Sequence, residues 1–367
     1  MNNESAARAA ALHKRAIVID AHSDILMAIA DGVARLGEDF PLPDPATWTP
    51  PPRTRPPDEA ESPPSFFPFS PHTEYFGSAG LYSLPQMAAG GVTVQVCAIY
   101  LEDKHLDRSL ERALEMTWWL HREAEDNPGF EVVTRTEDIV RLKREGKVGG
   151  LLAFEGLEPL GGELRFLDLF YRLGLRMASL THNRRNRFAD GPQTGIDMGG
   201  LTALGRQAVY RMNELGIVVD LAHTNEKAFW EILKITQKPV VFSHLSPYQF
   251  SLSRGDHPPM KDFQAPHNRA RLEALAENGG VAGIIFFGMN SVDEVVDYTE
   301  ELVEIMGPDH VGLGSDYYGL QYAPKRLETI AQLPEITRRL VERGYPDDTI
   351  LDLLGGNFLR VFGEVWK

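Results

Sequence analysis

The sequence predicts an α/β protein folded as one closed (β/α)8 TIM barrel, and three observations predict it. Eight short aliphatic or β-branched segments are spread along the chain. The stretches between them carry apolar residues at helical spacing, the arrangement of parallel strands covered by helices. Most of the apolar segments end in a histidine or a carboxylate, and in a barrel such ends meet at one mouth. A doubly wound sheet is the competing arrangement. It loses support because DAHSD ends the first segment, where a dinucleotide fold would carry a glycine-rich phosphate loop.

The first strand is read at 15–22 (RAIVIDAH), with Asp24 two residues beyond its terminal His22. Residues 41–72 are so dense in proline that regular helix and central strand are both excluded. They are expected to form a surface insertion between the first strand and its helix, with aromatic residues able to pack back over the pocket mouth. The second strand, 93–100 (TVQVCAIY), holds the single cysteine of the chain, Cys97. One cysteine forms no internal disulfide, so Cys97 reads as a packed thiol.

Helical spacing at 108–125 and 135–145 leads to a third strand at 149–155 (GGLLAFE), ending in Glu155. The fourth, 175–182 (LRMASLTH), ends in His182. After a helix at 203–215 comes 217–223 (IVVDLAH), ending in His223, and after 225–236 comes 239–244 (PVVFSH), ending in His244. A helix at 269–279, a strand at 281–287, a helix at 292–306 and a last strand at 311–317 (VGLGSDY) with Asp316 complete the pattern. The whole of 1–367 reads as one domain.

Composition narrows the partners. A formal net charge of −15 argues against a nucleic-acid backbone or an anionic membrane surface. The sequence contains no apolar run of membrane-spanning length. With a start lacking a signal-type apolar region, this leads to the expectation of a cytoplasmic protein.

Unpaired buried polar groups cost about 1–3 kcal/mol each, so seven polar residues gathered at strand ends need a common explanation. One metal centre supplies it. Imidazole nitrogens and carboxylate oxygens suit zinc and its neighbours. His22 and Asp24, two apart on an extended segment, can reach one ion. His223 and His244, from neighbouring strands, can hold a second, and Glu155 has two oxygens with which to bridge. Such a centre lowers the pKa of water and polarises a substrate oxygen. Asp316 can then take and return a proton, and His182 can donate to a carbonyl oxygen. Arg254, in SLSRGDHPP, and Arg184, in the basic cluster Arg184, Arg185 and Arg187, are candidates for a substrate carboxylate. Asp20 and Asp220 read as network residues behind the ligands.

The chain resembles the membrane (renal) dipeptidase family, a branch of the metal-dependent amidohydrolase-like barrels. DAHSD, the FEG segment at 154–156, SLTHN at 179–183, the DLAHT and FSHLS pair, GLGSD at 312–316 and LGGNFLRVF at 354–362 carry the likeness. The resemblance implies a binuclear zinc dipeptidase: His22 and Asp24 on one zinc, His223 and His244 on the other, Glu155 bridging. It gives His182 the substrate carbonyl and Asp316 the proton. It also implies dipeptide substrates, including some with a D-residue at the carboxyl end, and a homodimer. The sequence departs from the family where its second arginine, the usual carboxylate binder, is expected: Arg254 is followed by Gly255. A related metal-dependent amidase, deacylase or lactonase is therefore the alternative enzyme. A non-catalytic metal- or ligand-binding barrel is the alternative of another class, and it leaves Asp316 without a purpose.

Overall fold

A ring of eight parallel strands surrounds the core of the computed structural model, which describes residues 3–38, 82–192, 199–245, 266–320 and 323–367. The proline-rich insertion at 41–72 and Arg254 lie outside these residues. The strands are β1 (Val18–Asp20), β2 (Val92–Tyr100), β3 (Phe130–Val132), β4 (Val148–Glu155), β5 (Leu175–Ser179), β6 (Val218–Asp220), β7 (Val241–Leu245), β8 (Val281–Ile284) and β9 (Val311–Leu313). Hydrogen bonding runs β2-β1-β9-β8-β7-β6-β5-β4, and the pairing of β2 with β4 closes the ring. All the pairings are parallel, so the predicted (β/α)8 barrel is the observed fold. β3 is additional: it pairs with the start of β4, Phe130 opposite Val148, outside the eight.

Alternation along the strands builds two apolar layers. Ile19, Val94, Val96, Leu151, Ala153, Met177, Val218, Val241 and Val281 point into the barrel. Val18, Cys97, Leu152, Phe154, Val219 and Phe242 point outward against the helices. This period of two is the reason such strands read as continuous apolar runs. Phe358, Val361, Phe362 and Val365 of the last helix, Asn357–Val365, join the inner layer and fill one end of it. Polar groups consequently gather at the other end, beyond the carboxyl ends of the strands.

Six helices fall where helical spacing puts them: Ser109–Asp126, Thr136–Glu145, Ala203–Leu215, Glu226–Ile235, Pro266–Glu277 and Val292–Met306. Their starts follow local chemistry. Thr202, Asn225 and Ser291 each accept a backbone N–H three residues on, satisfying a donor the helix start leaves open. The helix Asn3–Arg15 is pinned by His13, whose ring lies 2.8 Å from Gly90 O and 2.7 Å from Thr337 Oγ1. No described helix is long and apolar enough to cross a membrane. Cys97 is a buried thiol.

Candidate metal centre

Glu155 continues the inward series Leu151, Ala153, so strand parity sends its carboxylate into the barrel mouth. The other residues reach the same place by local departures from regular strand. β1 ends at Asp20, before His22, and Asp24 (φ −88, ψ 21) already begins the turn into the helix Ile25–Ala30. His22 and Asp24 thus sit on a turn and not on an extended segment, yet Nε2 of His22 stands 3.8 Å from Oδ1 of Asp24. His223 and Asp316 both have left-handed backbone, φ 57 and φ 65, which turns the chain sharply just after β6 and β9. On β7, Phe242 and Leu245 both pack outward although three apart. The register irregularity between them breaks the alternation and lets His244 face the mouth.

Glu155 is the hub. Its Oε1 lies 2.9 Å from Nε2 of His223, 3.5 Å from His244, 3.7 Å from His22 and 4.0 Å from His182. His223 and His244 bring their Nε2 atoms within 2.9 Å of each other. Oδ1 of Asp316 is 3.6 Å from Nε2 of His22. Among the described residues, donor atoms within 4.8 Å of one another form three groups: His22, Glu155 and His244; Glu155, His182 and His223; and His22, Asp24 and Asp316. The first two share Glu155, as a bridging carboxylate requires. His22 and Asp24 fall in one group, while His223 and His244 fall in different groups that meet at Glu155.

Burial sets the charge states. His22 is lowered to about 3, by burial first and then by His223, and burial takes His223 down to about 4. His182 and His244 also go well below the ordinary value, burial being the main cause. All four rings are therefore neutral, the form that offers a lone pair to a cation. The carboxylates move oppositely. Glu155 is raised to about 8 by burial, helped by Asp220 and Glu158. Asp24 and Asp316 are raised well above their usual range by burial and then by each other's neighbourhood, Glu155 acting on the first and Asp24 on the second.

These residues fit a pair of divalent ions. Around an ion with bonds of about 2.0–2.2 Å, donor atoms stand roughly 3.0–3.6 Å apart; Glu155 Oε1 and its histidines, at 2.9–4.0 Å, bracket that spacing. Nε2 of His22 and Oδ1 of Asp24 are buried without a hydrogen-bond partner, a costly state that coordination removes. The rings are also oriented for it. Asn183 Oδ1, an acceptor 2.8 Å from Nδ1 of His223, keeps the proton there and leaves Nε2 as the lone pair. Ser243 Oγ holds Nδ1 of His244 at 2.9 Å.

Asn183, Ser243 and Ser315 were not among the candidates, although each adjoins one in the chain: His182, His244 and Asp316. Asp220 sits behind the candidate ligands: its Oδ1 accepts the N–H groups of Ala222 and Ser243, tying β6 to β7. The GLGSD glycines serve the barrel wall, since a Cβ on Gly314 would collide with the Ser243 carbonyl. Arg184 lies beside the centre. Its Nη2 meets Leu101 O at 3.2 Å and Asp103 at 2.7 Å, while its Nη1 is buried without a hydrogen-bond partner. The Tyr100 ring lies 4.5 Å from that of His182.

Comparison with known proteins bears on this geometry. The profile of the membrane dipeptidase family (peptidase family M19) matches residues 6–367. Dipeptidase aclJ of Aspergillus oryzae is 29% identical over 324 residues, 81% of this chain and 72% of the relative. Dipeptidase tcpJ of Claviceps purpurea is 32% identical over 249 residues, 64% of this chain and 55% of that protein's length. Among solved structures, a metallopeptidase from Rhodobacter sphaeroides, liganded with a phosphinate mimic of the dipeptide L-Ala-D-Ala, superposes with a TM-score of 0.73. It is 22% identical and the alignment covers 96% of this chain and 99% of the other.

Proposed function

The chain belongs to the membrane dipeptidase family, and from that premise we propose that it is a zinc-dependent dipeptidase cleaving the amide bond of dipeptides, including those with a D-residue at the carboxyl end. The observation that carries the reading is the buried convergence on Glu155: four neutral imidazole nitrogens within 4.0 Å of its Oε1, with Asp316 alongside. His22, Asp24, Glu155, His223 and His244 would hold two zinc ions between them, and such ions would supply Lewis acidity toward a water and a substrate carbonyl.

The protein's own groups do the rest. Asp316, crowded by carboxylates and raised in pKa, is basic enough to accept a proton at its carboxylate and hand it to the leaving amine. His182, neutral through burial, donates an N–H to the carbonyl oxygen as charge develops there. Arg184 receives the terminal carboxylate of the substrate through Nη1. Its present ionic partner, Asp103, is 83% exposed, and such surface pairs hold their members weakly, so the guanidinium can turn to a substrate at little cost. Arg254 shares this role in the proposal. A cytoplasmic location and a homodimer complete it, to be checked by cell fractionation and sedimentation.

The test is a hydrolysis screen of L,L and L,D dipeptides, their carboxyl-terminal amides, N-acyl amino acids and lactones. Turnover of free dipeptides, weakened by amidation, supports the reading with a carboxylate-binding arginine. Turnover confined to N-acyl amino acids or lactones would assign the same centre to the alternative amidase, deacylase or lactonase.

A further inference from the structure

Behind the metal centre, on the outward parity of β1 with Val18, lies a carboxylate with no part in the chemistry above. Asp20 has no exposed surface. Its Oδ1 accepts the backbone N–H of Ser315 at 2.7 Å, and its Oδ2 accepts the Ser315 hydroxyl at 2.6 Å. The Gln95 side chain donates to the backbone oxygen of Asp20 at 3.4 Å, and Gln95 and the backbone N–H of His22 both favour the charged form of the carboxylate. A buried carboxylate is expensive to keep, and a seam between two strands can be sealed by apolar residues at lower cost. This one binds both donors of a single residue, and that residue immediately precedes Asp316.

Asp316 needs holding. Its left-handed backbone, φ 65, is disfavoured for any residue with a Cβ and persists only where neighbours enforce it. The bonds that hold the turn are Asp316 N–H to His22 O at 3.2 Å, Gly319 N–H to Asp316 O at 3.0 Å, Phe286 N–H to Ser315 O at 3.1 Å, Asp24 N–H to Tyr317 O at 3.1 Å, the Ser23 hydroxyl to Tyr317 O at 3.0 Å, and the Asp20 carboxylate, which takes both donors of Ser315. The Ser315 hydroxyl in turn accepts the N–H of Tyr317 at 3.2 Å, so Asp20 holds both sides of the turn. The side chain is seated by Gly319, where a Cβ would run into the carboxylates of Asp316 and Asp24.

We propose that Asp20 is a positioning residue: it clamps Ser315 from below and thereby sets the Asp316 carboxylate against the metal centre. The inference deepens the dipeptidase reading, because it takes Asp316 as the proton-transfer group. It assigns Asp20 no contact with substrate or metal. Misplacing a reacting group by about 1 Å can cost on the order of 100-fold in rate, so the loss should appear in kcat.

The test compares Asp20→Asn, Ser315→Ala and the double variant, all loaded with zinc. An asparagine keeps the shape but presents an amide N–H₂ where one Ser315 donor needs an acceptor. Expected for Asp20→Asn is a kcat reduced by at least about tenfold, with KM and zinc content within about twofold of the parent. Ser315→Ala loses less, and the double variant is no slower than Asp20→Asn, because both cut one linkage. An unchanged kcat in folded, zinc-loaded Asp20→Asn overturns the proposal. So does a parallel fall in zinc content, which would make Asp20 a support of His22 instead, and so do losses that multiply. If Asp20→Asn does not fold, Ser315→Ala alone decides by the same split of kcat from KM. A crystal structure of either variant supplies a readout independent of substrate. Displacement of the Asp316 carboxylate from His22 supports the clamp, and superposition on the parent contradicts it. Absence of dipeptide turnover in the parent protein would refute the dipeptidase reading and leave that structural comparison standing.

Discussion

Nε2 of His22 stands 3.6 Å from Oδ1 of Asp316, and the backbone N–H of Asp316 bonds His22 O at 3.2 Å. The seam between the first and last strands therefore puts a candidate ligand and the candidate base side by side. Asp316→Asn keeps the size of the side chain and removes its basicity. The expected result is retained zinc with turnover lowered by about 10²–10⁴-fold. Steady-state kinetics beside metal analysis checks it, and an unchanged kcat would remove Asp316 from the chemistry.

Glu155 is the residue common to the two histidine groups, so its loss should be felt by both ions. Purified protein is expected to carry up to two divalent ions per chain after zinc loading, and Glu155→Ala far fewer. Elemental analysis after dialysis makes the comparison. Full occupancy in Glu155→Ala would rule out a bridging carboxylate.

Metal uptake should release protons, and the shifts say from where. Glu155, raised to about 8, carries a proton at neutral pH that must leave before it can coordinate, and Asp24, raised well above its usual range, adds to the release. His22, at about 3, and His223, at about 4, are already deprotonated above pH of about 5 and release none. Apparent zinc affinity is thus expected to rise as pH climbs through about 6 to 8. Calorimetric titrations in two buffers of different ionisation enthalpy count the protons. Zinc binding with no proton release at neutral pH would contradict the protonated state of Glu155.

His13 gives a prediction about stability. Its ring is buried between Gly90 O and Thr337 Oγ1, and burial lowers its pKa. The unfolded chain then binds a proton more readily than the folded one below about pH 6.5. Its contribution is fully present above that value and lost as pH falls. Urea unfolding of metal-free protein at about pH 7.5 and 5.5 should show a larger drop for the parent than for His13→Gln. Equal drops would refute it.

The strands and most centre residues were legible because buried parallel strands leave apolar runs and a barrel puts functional groups at their ends. Glu155 is the simplest case, since Leu151 and Ala153 already set the inward parity. What could not be read depends on contacts between distant segments. The bulge that turns His244 inward departs from regular alternation, and the turn at His223 requires a left-handed residue that no glycine announces. Asn183 and Ser243 are ordinary polar residues until their neighbours' rings are placed. The filling of one barrel end by Phe358 and Phe362 is likewise a tertiary fact, since an amphipathic helix does not disclose what it faces.

Turnover of L-Ala-D-Ala by one preparation in three states, zinc-loaded, stripped by chelator and reloaded, is the decisive experiment. Hydrolysis is expected in the first, loss in the second and recovery in the third, with Glu155→Ala inactive throughout. Undiminished hydrolysis after the zinc is gone, or none by protein carrying two ions per chain, would contradict a zinc-dependent dipeptidase.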